Sequence, residues 1–176
     1  MNKKQLKKFI EDRTLTTPIS EYEKSLDQKD QFACMDCDTL IQDIDAFHKK
    51  YKFEKNDKVG IPEDNELVNF RTSFLMEELA EYTQAITKKD SAAALDALVD
   101  IVYIALGTAW LFNLPFERAW DQVQKANMSK IRTKSKSKKR GTSFDVVKPK
   151  GWTAPDIEQI IEEEREKQNE DISNRV

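Results

Sequence analysis

The chain has 176 residues, which is enough for one domain of ordinary size with extensions. Its 29 basic and 32 acidic residues nearly balance, and charged residues make up 35% of the chain while glycine and proline are few. This composition favours a soluble, strongly helical protein and argues against a β-sandwich or a disordered chain.

Residues 1–30 have the weak pattern of an N-terminal extension, with a break near Pro18. The segment from Met1 to Arg13 is basic and lacks the apolar core of a signal peptide, so we predict a cytoplasmic protein. Cys34 and Cys37 have CxxC spacing, but two thiols cannot complete a four-ligand zinc site and no βαβ pattern supports a redox site. We therefore predict reduced, structural thiols.

The first helix is predicted over residues 31–51, because apolar residues recur there every three to four positions. A loop follows at 56–64, where Gly60 and Pro62 interrupt the pattern. The second helix is predicted over 66–88 and should bury an apolar stripe along one face. The members of that stripe are Leu67, Phe70, Phe74, Leu75, Leu79 and Tyr82.

The third helix is predicted from Asp90 or Ser91 to about Phe112, the most apolar segment of the chain. Its length would allow it to cross a membrane. However, two aspartates within it would each cost about 2.5 to 3.5 kcal/mol on insertion scales, and no second span accompanies it. We predict a core helix of a bundle and no membrane partner. Pro115 opens a fourth helix, which reaches about Lys130.

Residues 132–150 form a basic loop that contains many lysines and arginines and a single acid, Asp145. Within this loop, Phe144 to Val147 could form a short strand, which would need a partner strand, with another subunit as one source. A last helix is predicted from Pro155 or the residue before it to about Asp171. Residues 157–176 are therefore an acidic C-terminal helix or tail.

Five acids are the candidates for chemistry. Glu77, Glu78 and Glu81 fall within about 100° of arc on the second helix. Asp96 and Asp100 lie one turn apart on the apolar third helix, and an antiparallel hairpin of the two helices would bring both groups together. An ionised carboxylate in a low dielectric is costly, so these acids need a cation or must lose their charge. Oxygen ligands favour Mg²⁺, with Mn²⁺ as a substitute, and hence phosphate chemistry.

Other interpretations of these residues stay open. The glutamates alone are more often a solvated helix face, and Asp96 and Asp100 could instead pair with Arg71 or a lysine as a buried ion pair. His48, the only histidine, is either a polar residue near a helix end or a nucleobase contact. Several aromatic residues are core or interface residues, or could stack on a base. These are Phe47, Tyr103, Trp110 and Trp152.

Several segments of the chain resemble one protein family. EELAEY at 77–82, DALVDIVYIALG at 96–107 and ANMSKI at 126–131 are similar, in sequence, order and spacing, to the all-α nucleoside triphosphate pyrophosphohydrolases. This superfamily contains MazG-like and phosphoribosyl-ATP pyrophosphohydrolase-like proteins. FHKKY at 47–51 and KPKGWTAPD at 148–156 extend the resemblance, so we place the domain at residues 31–156 with the basic loop inside it.

The resemblance implies an all-α bundle built on an antiparallel helix hairpin. It also implies a hydrolase of acid anhydrides that cleaves a nucleoside triphosphate between the α- and β-phosphates, giving monophosphate and pyrophosphate. Glu78, Glu81 and Asp100 match metal ligands of the family, while Glu77 is a ligand or the base that orients the attacking water. The resemblance also assigns substrate contacts near the end of the fourth helix and in the closing segment. These are Asn127, Lys130, Lys148 and Lys150.

The chain departs from the family at one position. Many relatives carry an acid three residues before the last aspartate, whereas here Ala97 stands three before Asp100 and the acid is at Asp96. An inactive nucleotide-binding relative is therefore one alternative function. A second is a nucleic-acid-binding or regulatory helical module that uses the basic segment 132–150. The acidic C-terminal helix and the lack of a recognised binding motif argue against it.

Association with further copies is also predicted. The segment from Ile101 to Phe112 is hydrophobic almost all round, so a single hairpin would expose apolar surface. The resemblance agrees, because it implies homo-oligomers in which neighbouring chains complete each pocket. We expect a homodimer first and a homotetramer second.

Overall fold

The structure is a computed structural model that describes residues 37–132 and 140–174. The predictions for residues 1–30, for Cys34 and for the side chain of Cys37 fall outside it, as do those for residues 133–139 and 175–176. Within the described ranges, five helices and one two-stranded ribbon confirm the all-α fold. The elements are α1 Cys37–Lys50, α2 Asn65–Lys88, α3 Ser91–Leu111, α4 Phe116–Met128, β1 Ile131–Arg132, β2 Val146–Val147 and α5 Ile157–Ser173.

Two aspartates define the central helix hairpin. The Asp64 side chain accepts hydrogen bonds from the backbone N–H groups at the start of α2, and Asp90 does the same for α3. α2 ends at Lys89, whose φ of 57° lies in the left-handed region and turns the chain sharply. Because only Lys89 and Asp90 connect the two helices, α2 and α3 pack along one another as the predicted hairpin.

The buried stripe of α2 differs from the prediction. Its buried residues are Arg71, Glu78 and Ala85, which are seven positions apart and therefore lie in line on the face against α3. Phe70 and Leu79, both predicted to be buried, are 57% and 56% exposed. In the described chain α3 packs against one face of α2, so apolar residues beside the central line stay at the surface.

α1 packs against the C-terminal half of α3, where Ile44 of α1 and Ile104 and Leu106 of α3 are buried. The predicted apolar surface at 101–112 is therefore largely covered. The exposed apolar residues of α3 lie further towards its N-terminus: Leu95, Leu98, Val99, Val102 and Tyr103. By length and composition alone α3 could also span a membrane, a property shared by core helices of soluble proteins.

The short strand in the basic loop has its partner in the same chain. β1 and β2 are antiparallel, with Ile131 opposite Val147 and Arg132 opposite Val146. The alternative that another subunit supplies the partner strand is therefore wrong. The ribbon returns the chain to the end of α4 before α5 begins.

Hydrogen bonds and ion pairs hold α5 against the rest of the domain. Arg165 Nε donates to Val59 O at 3.0 Å, and Gln168 bonds to the backbone of the same loop, at Asp57 O and Val59 N. α5 also contacts α4, because Arg118 of α4 forms ion pairs with Glu163 and Glu164 of α5. The predicted acidic helix is thus present, and part of its acidic run is neutralised by Arg118.

Candidate functional site

Glu78 occupies the centre of the predicted acidic group. Its side chain is buried against α3, and its Oε2 atom has no hydrogen-bond partner among the described residues. Burial raises the pKa of Glu78, and the charges of four other acids raise it further. In decreasing order of effect these are Asp100, Glu81, Glu77 and Asp96. The other four predicted acids therefore all interact electrostatically with Glu78.

The four other acids are exposed, and this corrects the prediction for the third helix. Asp96 and Asp100 were expected to be buried in an apolar helix, but α1 covers only the C-terminal half of α3 and leaves both accessible. The alternative of a buried ion pair with Arg71 is also wrong. Arg71 donates to the oxygen atoms of Ile104 and Thr108, at 2.7 and 3.0 Å, and forms no ion pair within the described residues.

Position 97, where the resemblance led us to expect an acid, faces the inside of the hairpin. Ala97 is only 2% exposed, so an acid at this position would be buried in the hairpin. Asp96 is one residue away and has the smallest effect of the four acids on the Glu78 pKa. Asp100 has the largest effect and lies beside Glu78 in the same cavity. The carboxylates of Glu78 and Asp100 are thus the principal pair.

A cavity of about 200 Å³ adjoins this pair and has walls from α1, α2 and α3. It is lined by Phe47, His48, Arg71, Phe74, Glu78, Asp100, Tyr103, Ile104 and Gly107. A larger cavity of about 630 Å³ lies between the loop 56–64 and α5, but it contains none of the predicted site residues. We regard the smaller cavity as the candidate site, because the buried carboxylate opens onto it.

The side chain of His48 lines this cavity. It is 3% exposed, its ring stacks on Trp110 with centroids 4.4 Å apart, and its Nδ1 lies 2.7 Å from Ile44 O. Because a carbonyl oxygen only accepts, Nδ1 carries the proton, and burial lowers the pKa of the ring so that it stays neutral. Nε2 is therefore left as a hydrogen-bond acceptor.

Sequence reasoning missed the roles of Arg71 and Gly107 in this site. Arg71 precedes Glu78 by seven residues, a spacing that could have placed both side chains on one face of α2. Gly107 allows α3 to approach both neighbours, since a Cβ there would lie 3.1 Å from Arg71 Nη2 and 3.2 Å from His48 Cε1. No local pattern marks this contact, because it joins three helices.

Three of the four predicted substrate contacts form a second group. Lys130 Nζ donates to Asn127 Oδ1 at 2.7 Å, and the ammonium groups of Lys130 and Lys148 both lie over the Trp152 ring. Lys150 is exposed and has no such ring contact in the described structure. No hydrogen bond or ion pair joins this group to the five acids in residues 37–132 and 140–174.

The donor chemistry of the acidic group fits a hard divalent cation. The buried oxygen of Glu78 has no donor, Asp100 lines the same cavity, and the charges of three further acids act on the Glu78 carboxyl, so a cation would stabilise this arrangement. As the described side chains stand, no three of the His, Cys, Asp and Glu groups are close enough together to hold a metal ion. The acids are therefore neighbours that have not converged on one point.

One family model matches the segment that contains the candidate site. Residues 44–127 match the model of a family described as phosphoribosyl-ATP pyrophosphohydrolase. The matched segment contains all five acids, the whole candidate cavity and Asn127, while Lys130, Lys148, Trp152 and α5 lie beyond it. No curated protein matches the chain.

Proposed function

Since residues 44–127 form a domain of the phosphoribosyl-ATP pyrophosphohydrolase family, a MazG-like all-α family, we propose that this protein is a nucleoside triphosphate pyrophosphohydrolase. The family implies a hydrolase that acts on phosphoanhydride bonds of nucleotides. The finer proposal is that water adds across the α–β anhydride of a ribo- or deoxyribonucleoside triphosphate, giving monophosphate and pyrophosphate. The observation that carries it is the buried Glu78 oxygen without a donor, which lines the same cavity as Asp100.

Glu78, Glu81 and Asp100 would hold Mg²⁺, for which Mn²⁺ could substitute. Bound there, the cation would neutralise polyphosphate charge and lower the pKa of the attacking water. Glu77 is exposed beside Glu78, so its carboxylate is accessible to accept the proton of that water or to act as a further ligand. Among the four acids Asp96 has the smallest effect on the pKa of Glu78, so we place it at the edge of the acidic group.

The nucleoside would lie in the cavity between α1, α2 and α3. Its aromatic walls, Phe47 and Tyr103, suit a flat base, and the Nε2 of His48 offers one acceptor for a base N–H. Because Glu78 and Asp100 line the same cavity, a nucleoside bound there would carry its phosphates to the acids. The cavity thus supports a nucleotide rather than a free polyphosphate as the substrate.

The direct test is incubation of the pure protein with a panel of ribo- and deoxyribonucleoside triphosphates and Mg²⁺ or Mn²⁺. We expect monophosphate and pyrophosphate in equal amounts for at least one substrate, measured by chromatography. Chelation of the metal with EDTA should stop the reaction. Diphosphate with orthophosphate would contradict the cleavage position, and the absence of turnover with any substrate would favour an inactive nucleotide-binding relative.

We also propose that two copies associate through the exposed apolar face of the α2–α3 hairpin, as a homodimer and secondarily as a tetramer. The apolar side chains of this face are all at least 45% exposed, which is more exposed apolar surface than scattered single residues on a monomer would give. They are Leu79 and Ile86 of α2 and Leu95, Leu98, Val99 and Val102 of α3. Burial of this face would also reduce the water around Asp96 and Asp100, which are on the same helix.

Val99→Asp should convert the dimer to a monomer, because it would place a charge within the buried interface. Sedimentation velocity at several concentrations measures the change. The matched control is Ile172→Asp on α5, where the wild-type side chain is 57% exposed against 56% for Val99. A wild-type protein that is monomeric at every concentration, or a Val99→Asp variant that remains dimeric, would contradict the proposed interface.

A further inference from the structure

The β1–β2 ribbon brings two lysines together that are far apart in the sequence. Its register pairs Ile131 with Val147, so Lys130 and Lys148 are the next residues at the same end of the ribbon and lie across from one another. Like charges directly opposite on a ribbon repel and destabilise it. Another group must therefore hold the two ammonium groups in this position.

Trp152 contacts both of them. The Nζ atoms of Lys148 and Lys130 lie 3.9 and 5.7 Å from the centre of its ring, within the range of cation–π attraction. The indole is itself fixed, because its Nε1 donates to Ala126 O at 2.9 Å in the last turns of α4. Asn127 Oδ1 accepts a hydrogen bond from Lys130. The ring and the amide are neutral partners, so they orient the lysines without neutralising them.

Neither lysine has a carboxylate partner among residues 37–132 and 140–174. Two ammonium groups that contact one indole ring and have neutral supports leave two positive charges available to one ligand, which suits a polyphosphate better than a monoanion. We propose that Trp152 is a positioning residue that holds Lys130 and Lys148 as a single polyphosphate-binding pair. That this polyphosphate is part of a nucleotide rests on the proposed function.

Lys150 is not a member of this pair. It lies two residues beyond Lys148 on the same segment and is exposed as Lys148 is, but its ammonium group has no contact with the Trp152 ring in the described structure. Lys150 had been predicted to bind substrate together with Lys148. The pair therefore consists of Lys130 and Lys148, and the matched control for Lys148→Ala is Lys88→Ala, an exposed lysine at the end of α2 that belongs to neither group of predicted site residues.

Calorimetric titration of the full chain with inorganic tripolyphosphate, in buffer without divalent metal, tests the pair independently of hydrolysis. Trp152→Leu and Lys148→Ala should each weaken binding by about three- to tenfold. Lys88→Ala should stay within about twofold of wild type, and so should Trp120→Leu, which changes a 51% exposed indole on α4. Trp152→Phe keeps a ring face and should lose less than Trp152→Leu.

In turnover assays, Trp152→Leu should raise KM for the triphosphate and leave kcat nearly unchanged, a split that general unfolding would not produce. Unchanged tripolyphosphate binding and KM in Trp152→Leu would overturn the inference while leaving the proposed function intact. Tripolyphosphate binding that depends on Trp152, without hydrolysis of any nucleotide, would support the lysine pair and contradict the proposed function. If Trp152→Leu does not fold, the comparison of Lys148→Ala with Lys88→Ala still tests the pair, and equal effects of these two variants on tripolyphosphate binding would overturn it.

Discussion

Glu78→Gln should lower kcat by about 1,000-fold and at the same time make the metal-free protein more stable at neutral pH. The loss of rate corresponds to about 4 kcal/mol of charge stabilisation in the transition state. The gain in stability arises because Oε2 is buried without a donor and the charges of four other acids act on this carboxyl, whereas a neutral amide of the same shape relieves the repulsion. We expect the free energy of unfolding to rise by about 1–2 kcal/mol.

Thermal denaturation with EDTA and with Mg²⁺ separates the two effects. Wild type should gain stability from Mg²⁺ and Glu78→Gln should gain little, because binding to the folded state alone stabilises it. The matched control is Glu66→Gln, an exposed glutamate in the first turn of the same helix, which should retain activity and the response to Mg²⁺. Full activity of Glu78→Gln would remove the acidic group from the mechanism.

The raised pKa of Glu78 also determines how metal-free stability changes with pH. The folded state binds the proton of this carboxyl more tightly than the unfolded state, where the ordinary value is 4.5. The stability that Glu78 contributes is therefore complete below that value and is lost as the pH rises through the raised pKa of the folded state. Glu78→Gln should flatten this decline, and stabilisation by Mg²⁺ should grow over the same range because cation and proton compete.

The sequence was sufficient for the helices and for the hairpin that carries the acids. Apolar periodicity predicted α1 and α2, the long apolar segment predicted α3 with Asp90 or Ser91 as its N-cap, and Pro115 predicted the start of α4. The spacing of Glu77, Glu78 and Glu81 placed them on one side of α2, and the pKa of Glu78 responds to all the acids that were predicted to surround it. These features depend on residues that are near one another in the chain.

The burial of individual acids could not be predicted in the same way. Local patterns made Asp96 and Asp100 the buried acids, yet the buried one is Glu78. Burial is decided by which half of α3 is covered by α1, and periodicity along a single helix contains no information about that choice. The ribbon is a similar case, since two-residue strands are too short to show an alternating pattern.

Gly107→Val should destabilise the protein by about 3 kcal/mol or more, the second large effect that we expect. The added Cβ alone would lie 3.1 Å from Arg71 Nη2 and 3.2 Å from His48 Cε1, and valine adds two methyl groups beyond it. Neither neighbour moves easily. Arg71 is held by bonds to Ile104 O and Thr108 Oγ1, while His48 is bonded to Ile44 O and stacked on Trp110.

Denaturant unfolding of Gly107→Val, Gly107→Ala and the control Ala93→Val measures this effect. Ala93 is exposed on the same helix, so Ala93→Val should cost about 1 kcal/mol or less, chiefly through helix propensity. In Gly107→Ala, about 1 kcal/mol of improved helix propensity offsets part of the steric cost, and the variant should fold. Because Gly107 lines the candidate cavity, the folded Gly107→Ala protein should show a raised KM for the nucleotide. Wild-type stability in Gly107→Val would mean that the three helices do not meet at this residue.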